Sequence, residues 1–118
     1  MTIKNVLASV AVKDLSVASE WYEKLFGRPA DSRPMGEVAE WKSECGGWLQ
    51  VYQLPERAGS GSFTLAVRSV EEAVAHLDAM GVDTGTRTSG AKVKTVMVTD
   101  PDGNHIAFAE TSDPSMAQ

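Results

Sequence analysis

Residues Ser62–Gly81 read SFTLAVRSVEEAVAHLDAMG, and the run changes its period halfway. Phe63, Leu65 and Val67 alternate with Ser62, Thr64 and Ala66, the two-residue repeat of a strand. From Val70 onward the apolar residues Val70, Ala73, Val74, Leu77 and Met80 recur at steps of three and four, which is the stripe of an amphipathic helix. Ser69 stands where a helix cap belongs, and Glu72 completes a capping-box pattern. Gly81 suits the left-handed backbone that ends a helix.

The same succession occurs 55 residues earlier, with Ala11-Val12-Lys13 standing for Ala66-Val67-Arg68. Ile3–Val12 (IKNVLASVAV) alternates: Val6, Ala8, Val10 and Val12 are expected to meet the core, while Asn5, Leu7, Ser9 and Ala11 share the other face. Asp14 or Ser16 caps a helix whose stripe is Val17, Trp21 and Leu25, with Ala18 and Tyr22 beside it and Gly27 at its end. The second halves of the repeat match more loosely. Trp48–Tyr52 follows a Gly46-Gly47 turn as His105–Ala109 follows Asp102-Gly103, and each turn is preceded by a strand candidate, Val38–Ser43 and Val93–Thr99. Pro29–Pro34 and Asp83–Thr88 each offer one more short strand.

These pieces predict an α+β fold in one domain spanning residues 1–118, made of two tandem βαβββ modules at about 3–55 and 62–111. Their strands are expected to form a curved mixed sheet, with helices on one side and an open concave trough on the other. Glu56–Gly61 (ERAGSG) reads as a flexible polar linker.

Composition narrows the function classes. Eleven basic and 16 acidic residues give a formal charge of −5. That argues against nucleic acid as a partner, since phosphate contacts need lysine and arginine. No run approaches the roughly 20 apolar residues of a membrane span, and no secretory leader is apparent. A lone Cys45 excludes an internal disulfide, and a cytoplasmic location is expected.

The stretches SVAVKDLSVASEWYEKLFG (Ser9–Gly27) and VMVTDPDGNHIAFAE (Val96–Glu110), at this separation, resemble the vicinal oxygen chelate superfamily, which includes glyoxalase I, extradiol dioxygenases and bleomycin resistance proteins. The resemblance spans about residues 3–111. It implies the trough as the binding site and, in metal-dependent relatives, one ligand on each of four strands. Residue by residue those positions are Leu7, Gln50, Ser62 and Ala107. Leucine and alanine carry no donor atom, and serine hydroxyl and glutamine amide are poor ligands for a divalent ion. No metal, no other cofactor and no catalytic residue is therefore expected.

Alternation places Asn5, Ser9, Trp48, Tyr52, Thr64 and His105 on the trough side with those four, and Met97 near them. Aromatic walls with a few hydrogen-bonding groups are the usual make-up of small-molecule pockets. His105 is a lone histidine without an acid–base partner, and His76, four residues after Glu72, is a helix-surface pair. The expected function is metal-free sequestration of a small aromatic or cationic compound, similar to bleomycin-type resistance proteins. The alternatives are a glyoxalase- or dioxygenase-like lyase or isomerase, and a dimeric interaction module without a ligand. A homodimer is expected, because open sheets leave edges and apolar surface to be covered.

Overall fold

The structure, a computed structural model, describes residues 1–111. Its elements run β1 (Leu7–Val12), α1 (Leu15–Phe26), β2 (Ser32–Met35), β3 (Val38–Lys42), β4 (Trp48–Gln53), a 3-10 turn (Pro55–Arg57), β5 (Ser62–Ala66), α2 (Val70–Ala79), β6 (Thr86–Ser89), β7 (Val93–Thr99) and β8 (His105–Thr111). The two βαβββ modules are thus present in tandem. Each forms a four-stranded sheet, in the orders β1-β4-β3-β2 and β5-β8-β7-β6. In each, the first strand pairs parallel with the last and the hairpins pair antiparallel, so both sheets are mixed. The ladders do not join, and neither sheet closes on itself.

Period two sorts the side chains as the sequence predicts along β4, β7 and β8, but not in the second half of β1, where Ala11, expected on the open face, is buried (5% exposed) between Val10 and Val12. Val10 and Val12, Leu49 and Val51, Ala39 and Trp41 face the helices, as do Ile106 and Phe108, Val96 and Val98. They form one core together with α1 and α2. Val6 and Ala8 do not join it: Val6 precedes β1 and is 71% exposed, and Ala8 is exposed as well. In α1 the buried residues are Leu15, Ala18, Ser19, Tyr22 and Leu25, so the helix is rotated by about one residue from the predicted Val17–Trp21–Leu25 stripe. Tyr22 decides the rotation, since its hydroxyl donates to Asp100 Oδ2 at 2.7 Å inside the core. Trp41 is core as well, stacked 5.5 Å from Phe26 with its indole N–H on the Arg28 carbonyl.

Helix starts are handled alike in both modules. Asp14 accepts from the amides of Ser16 and Val17, and Ser69 accepts from Glu72. Next to each cap, the first helical amide is taken by a side chain from the end of the module's last strand. Leu15 N–H donates to Gln53 Oε1 and Val70 N–H to Glu110 Oε1, both at 2.9 Å. The glutamate also places negative charge at the positive end of α2.

The linker is not the loose tether its composition suggests. Asn104, fully buried, accepts the amide hydrogens of Gly59 and Gly61 and donates to the Ala11 carbonyl and to Asp100. Gly59 has φ +92°, and a Cβ there would lie 2.5 Å from the Asp102 carbonyl oxygen. Glycine serves here for close approach and not for flexibility. The Asp100-Pro-Asp-Gly-Asn104 turn therefore clasps both the linker and β1.

Candidate functional site

The faces of the two sheets turned away from the core carry the predicted site residues. β4 lies between β1 and β3, so its outward side chains have neighbours on both sides. The pairing register aligns Leu7 with Trp48, Ser9 with Gln50 and Ala11 with Tyr52 on one flank. On the other it aligns Lys42 with Trp48, Glu40 with Gln50 and Val38 with Tyr52. Three rows cross β1, β4 and β3, each spanning about 10 Å at ordinary strand spacing, and β2 continues the middle one with Ser32 opposite Glu40.

The middle row is hydrogen-bonded from Ser9 to Glu40. Ser9 Oγ donates to Gln50 Oε1 at 3.1 Å, and Gln50 Nε2 donates to Glu40 Oε2 at 2.7 Å. Such bonds contribute roughly 0.5–1.5 kcal/mol each, and they fix the glutamine amide. Trp48 and Tyr52, both half-buried, stand on either side of Gln50. Lys42 places its ammonium 6.0 Å from the Trp48 ring centre. Asn5 precedes β1, and its side chain is tied to the Gly46 carbonyl at 2.6 Å and to the Val6 amide, so it braces the β3–β4 turn.

The second sheet offers a different surface. Ser62 aligns with His105, Thr64 with Ala107 and Ala66 with Ala109, and β7 adds Thr99, Met97 and Thr95 opposite the same three residues of β8. Ser62, Thr64 and His105 are exposed and Ala107 is half-buried. Among the described residues the His105 side chain makes no hydrogen bond. His76 accompanies no metal site, for its Nε2 lies 2.7 Å from the Lys24 carbonyl oxygen at the end of α1.

The predicted residues thus fall into two groups. Leu7, Ser9, Trp48, Gln50 and Tyr52 share the face of the first sheet, and Ser62, Thr64, His105 and Ala107 share that of the second. No hydrogen bond connects one group to the other among the described residues. Glu40 is the residue that sequence reasoning missed. Its strand, VAEWK, has adjacent buried residues Val38 and Ala39 that blur the alternation. Counting outward from the Gly46-Gly47 turn to the Lys42–Trp48 pair would have placed it opposite Gln50.

The four positions that carry metal in some superfamily members do not fit a divalent ion. Leu7 and Ala107 offer nothing to coordinate, and Gln50 is already engaged on both sides. No group of three or more His, Cys, Asp or Glu side chains suited to a metal occurs among the described residues. A surface groove of about 450 Å³ at the C-terminal end of α1, lined by Glu20, Glu23, Lys24, Gly27, Arg28 and Pro29, shares no residue with either face.

A family model described as Glyoxalase/Bleomycin resistance protein/Dioxygenase superfamily matches residues 3–108. A glyoxalase/bleomycin resistance protein from Catenulispora Acidiphila DSM 44928 is 34% identical, with a TM-score of 0.82 over 91% of this chain and 97% of that one. TnmS3, an antibiotic binding protein from Streptomyces sp. CB03234, is 25% identical with a TM-score of 0.78, covering 95% and 99%. A lactoylglutathione lyase from Agrobacterium tumefaciens shares the fold at 16% identity and a TM-score of 0.75, covering 93% and 95%. No curated protein matches the chain. With its two modules, its mixed sheets and a family match over nearly its whole length, the chain belongs to the glyoxalase/bleomycin resistance protein/dioxygenase superfamily.

Proposed function

We propose that the open face binds and sequesters a small, partly aromatic molecule without a metal ion. The observation that carries this reading is the row Ser9–Gln50–Glu40 flanked by Trp48 and Tyr52: polar groups held in place between two aromatic surfaces, at a position where a metal site would need donors that Leu7 and Ala107 lack. Fixed polar groups among aromatic side chains orient a ligand at little entropic cost. The likeness to an antibiotic binding protein supports binding over turnover. So does His105, which has no acid–base partner among the described residues.

Exposed Leu7 and Met97, one on each open face, support a homodimer that covers these two side chains and leaves the Ser9–Gln50–Glu40 row open to a ligand. A cytoplasmic location accompanies the reading. No helix among the described residues is long and apolar enough to cross a membrane.

The test is titration of tryptophan fluorescence with a panel of aromatic compounds, on protein whose metal content has been measured. Saturable binding below millimolar concentration by metal-free protein is expected. Stoichiometric transition metal in freshly purified protein, or no saturation by any compound, overturns the reading.

A further inference from the structure

We infer that the ligand of the first sheet's open face is a planar cation bearing N–H donors, and that Glu40 is the residue that selects it. This deepens the binding role proposed above and rests on it.

The hydrogen bonds of the row leave one consistent assignment of protons. A carboxylate only accepts, so Gln50 must turn its NH₂ group toward Glu40 and its carbonyl toward Ser9. Ser9 must then spend its single proton on that carbonyl. Toward a ligand the row presents the remaining lone pairs of Glu40, the lone pairs of Ser9 and one N–H of Gln50. Two acceptors flank one donor, and the acceptor at the β3 end carries negative charge.

Among the described residues no cationic side chain is paired with that charge. The ion pairs among the described residues are Arg28–Asp31, Arg68–Glu72 and Lys94–Glu71, and none includes Glu40. Lys42, two residues along on the same face of β3, holds its ammonium over Trp48 instead. Val38, on the other side of Glu40, is 8% exposed and contributes only hydrocarbon. A half-buried carboxylate in such surroundings gains most from an incoming cation that also donates hydrogen bonds. Trp48 and Tyr52 supply π faces that favour the same class of ligand. Amidinium, guanidinium and protonated arylamine groups fit this pattern. A ligand that only accepts meets lone pairs at both ends of the row.

The experiment uses three probes of one shape: 2-naphthamidine, 2-naphthamide and 2-naphthoate, titrated against the wild-type protein and Glu40→Gln by tryptophan fluorescence and by calorimetry. Glu40→Gln keeps an amide oxygen that still accepts from Gln50, so the row survives while the charge is removed. Circular dichroism and the thermal midpoint verify the fold. The amidine is expected to bind the wild type about tenfold more tightly than the amide, with the carboxylate weakest. That preference should shrink with added salt and fall to within about twofold in Glu40→Gln. Equal affinity for the three probes, or a preference unchanged in Glu40→Gln, overturns the inference and leaves the binding face standing. Saturation by none of the three overturns the binding face and the inference together.

Discussion

Along the middle of the first sheet Ser9, Gln50 and Glu40 are joined hydrogen bond to hydrogen bond, while the matching positions of the second hold Thr64, Ala107 and Met97. The neighbouring rows diverge in the same way. Leu7, Trp48 and Lys42 stand against Ser62, His105 and Thr99, and Ala11, Tyr52 and Val38 against Ala66, Ala109 and Thr95. The core sides do not diverge in kind: Leu49 and Val51 of β4 answer to Ile106 and Phe108 of β8, all apolar and buried. Packing against a helix restricts one face of each strand to apolar volume, whereas the outward face, buried at Ala11 and Val38 but open at the rows of Trp48 and Gln50, is freer to vary. One face is rich in fixed polar and aromatic groups and the other carries mostly small side chains around His105 and Met97, which under the proposed binding role suits a ligand read from one side.

The sharpest way to break the comparison is at the turns that lead into β4 and β8. Asn104 at the second turn makes four side-chain hydrogen bonds and is fully buried. Its counterpart Gly47 packs loosely, and a Cβ added there would meet only Ser43 Oγ, at an ordinary 3.4 Å. Asn104→Ala takes the side-chain partner from the amides of Gly59 and Gly61 and from the Ala11 carbonyl, leaves Asp100 Oδ2 with Tyr22 alone, and is expected to cost about 3 kcal/mol. Gly47→Ala should cost less than about 1 kcal/mol. Urea denaturation of the two variants measures the difference, and equal losses would dissolve the clasp.

The helices differ at one matched position, where Tyr22 of α1 answers to Leu77 of α2, both fully buried. Tyr22 adds the hydroxyl bonded to Asp100. Burial, then the nearby Asp100 charge and hydrogen bond, push its phenol well above the ordinary range near 10. The folded state therefore holds the proton more tightly than the unfolded chain. The stability from this group is fully present below about pH 10, the unfolded value, and is lost above it by up to about 1.4 kcal/mol per pH unit. Tyr22→Phe should cost about 1–2 kcal/mol at neutral pH and flatten the alkaline limb. Denaturation midpoints from pH 7 to 11 test both parts.

A third comparison concerns the two residues that open β4 and β8, Trp48 and His105. Under the proposed binding role, Trp48→Ala removes an aromatic wall worth about 1 kcal/mol, a fivefold or greater loss of affinity for 2-naphthamide. His105→Ala, on the exposed second face, should stay within about twofold. Calorimetric titration reads both, and the reverse order would move the site to the second sheet.

Much of this was legible in the sequence, because the fold rests on two short periods repeated at a fixed interval. Alternation in SFTLA and WLQVY fixes which side chains point outward, and the structure keeps that order. What was hidden depends on partners distant along the chain. Glu40 gains its meaning from Gln50 across a hairpin, and the glycines of the linker gain theirs from Asn104, 43 and 45 residues away. Composition read those glycines as slack, whereas their contacts make them tight.

The smallest effect tests the rotation of α1 relative to α2. In α2 the apolar stripe read from the sequence, Val70, Val74 and Leu77, is the buried one. In α1 the sequence stripe included Val17, yet Val17 is 58% exposed and Ala18 beside it is 3% exposed. Both helices obey the same period, so the difference lies in phase. Tyr22 and Asp14 set that phase from opposite ends, one through its buried hydroxyl and the other by capping the amides of Ser16 and Val17. Val17→Lys should then change stability by no more than about 0.5 kcal/mol, since lysine is the better helix former and the site faces solvent. Ala18→Leu in the same helix forces extra methylenes into packed space and should cost about 1–3 kcal/mol. Thermal and urea unfolding compare the pair, and a large loss from Val17→Lys would mean that α1 sits in the phase its apolar pattern suggests, with Tyr22 drawn off Asp100.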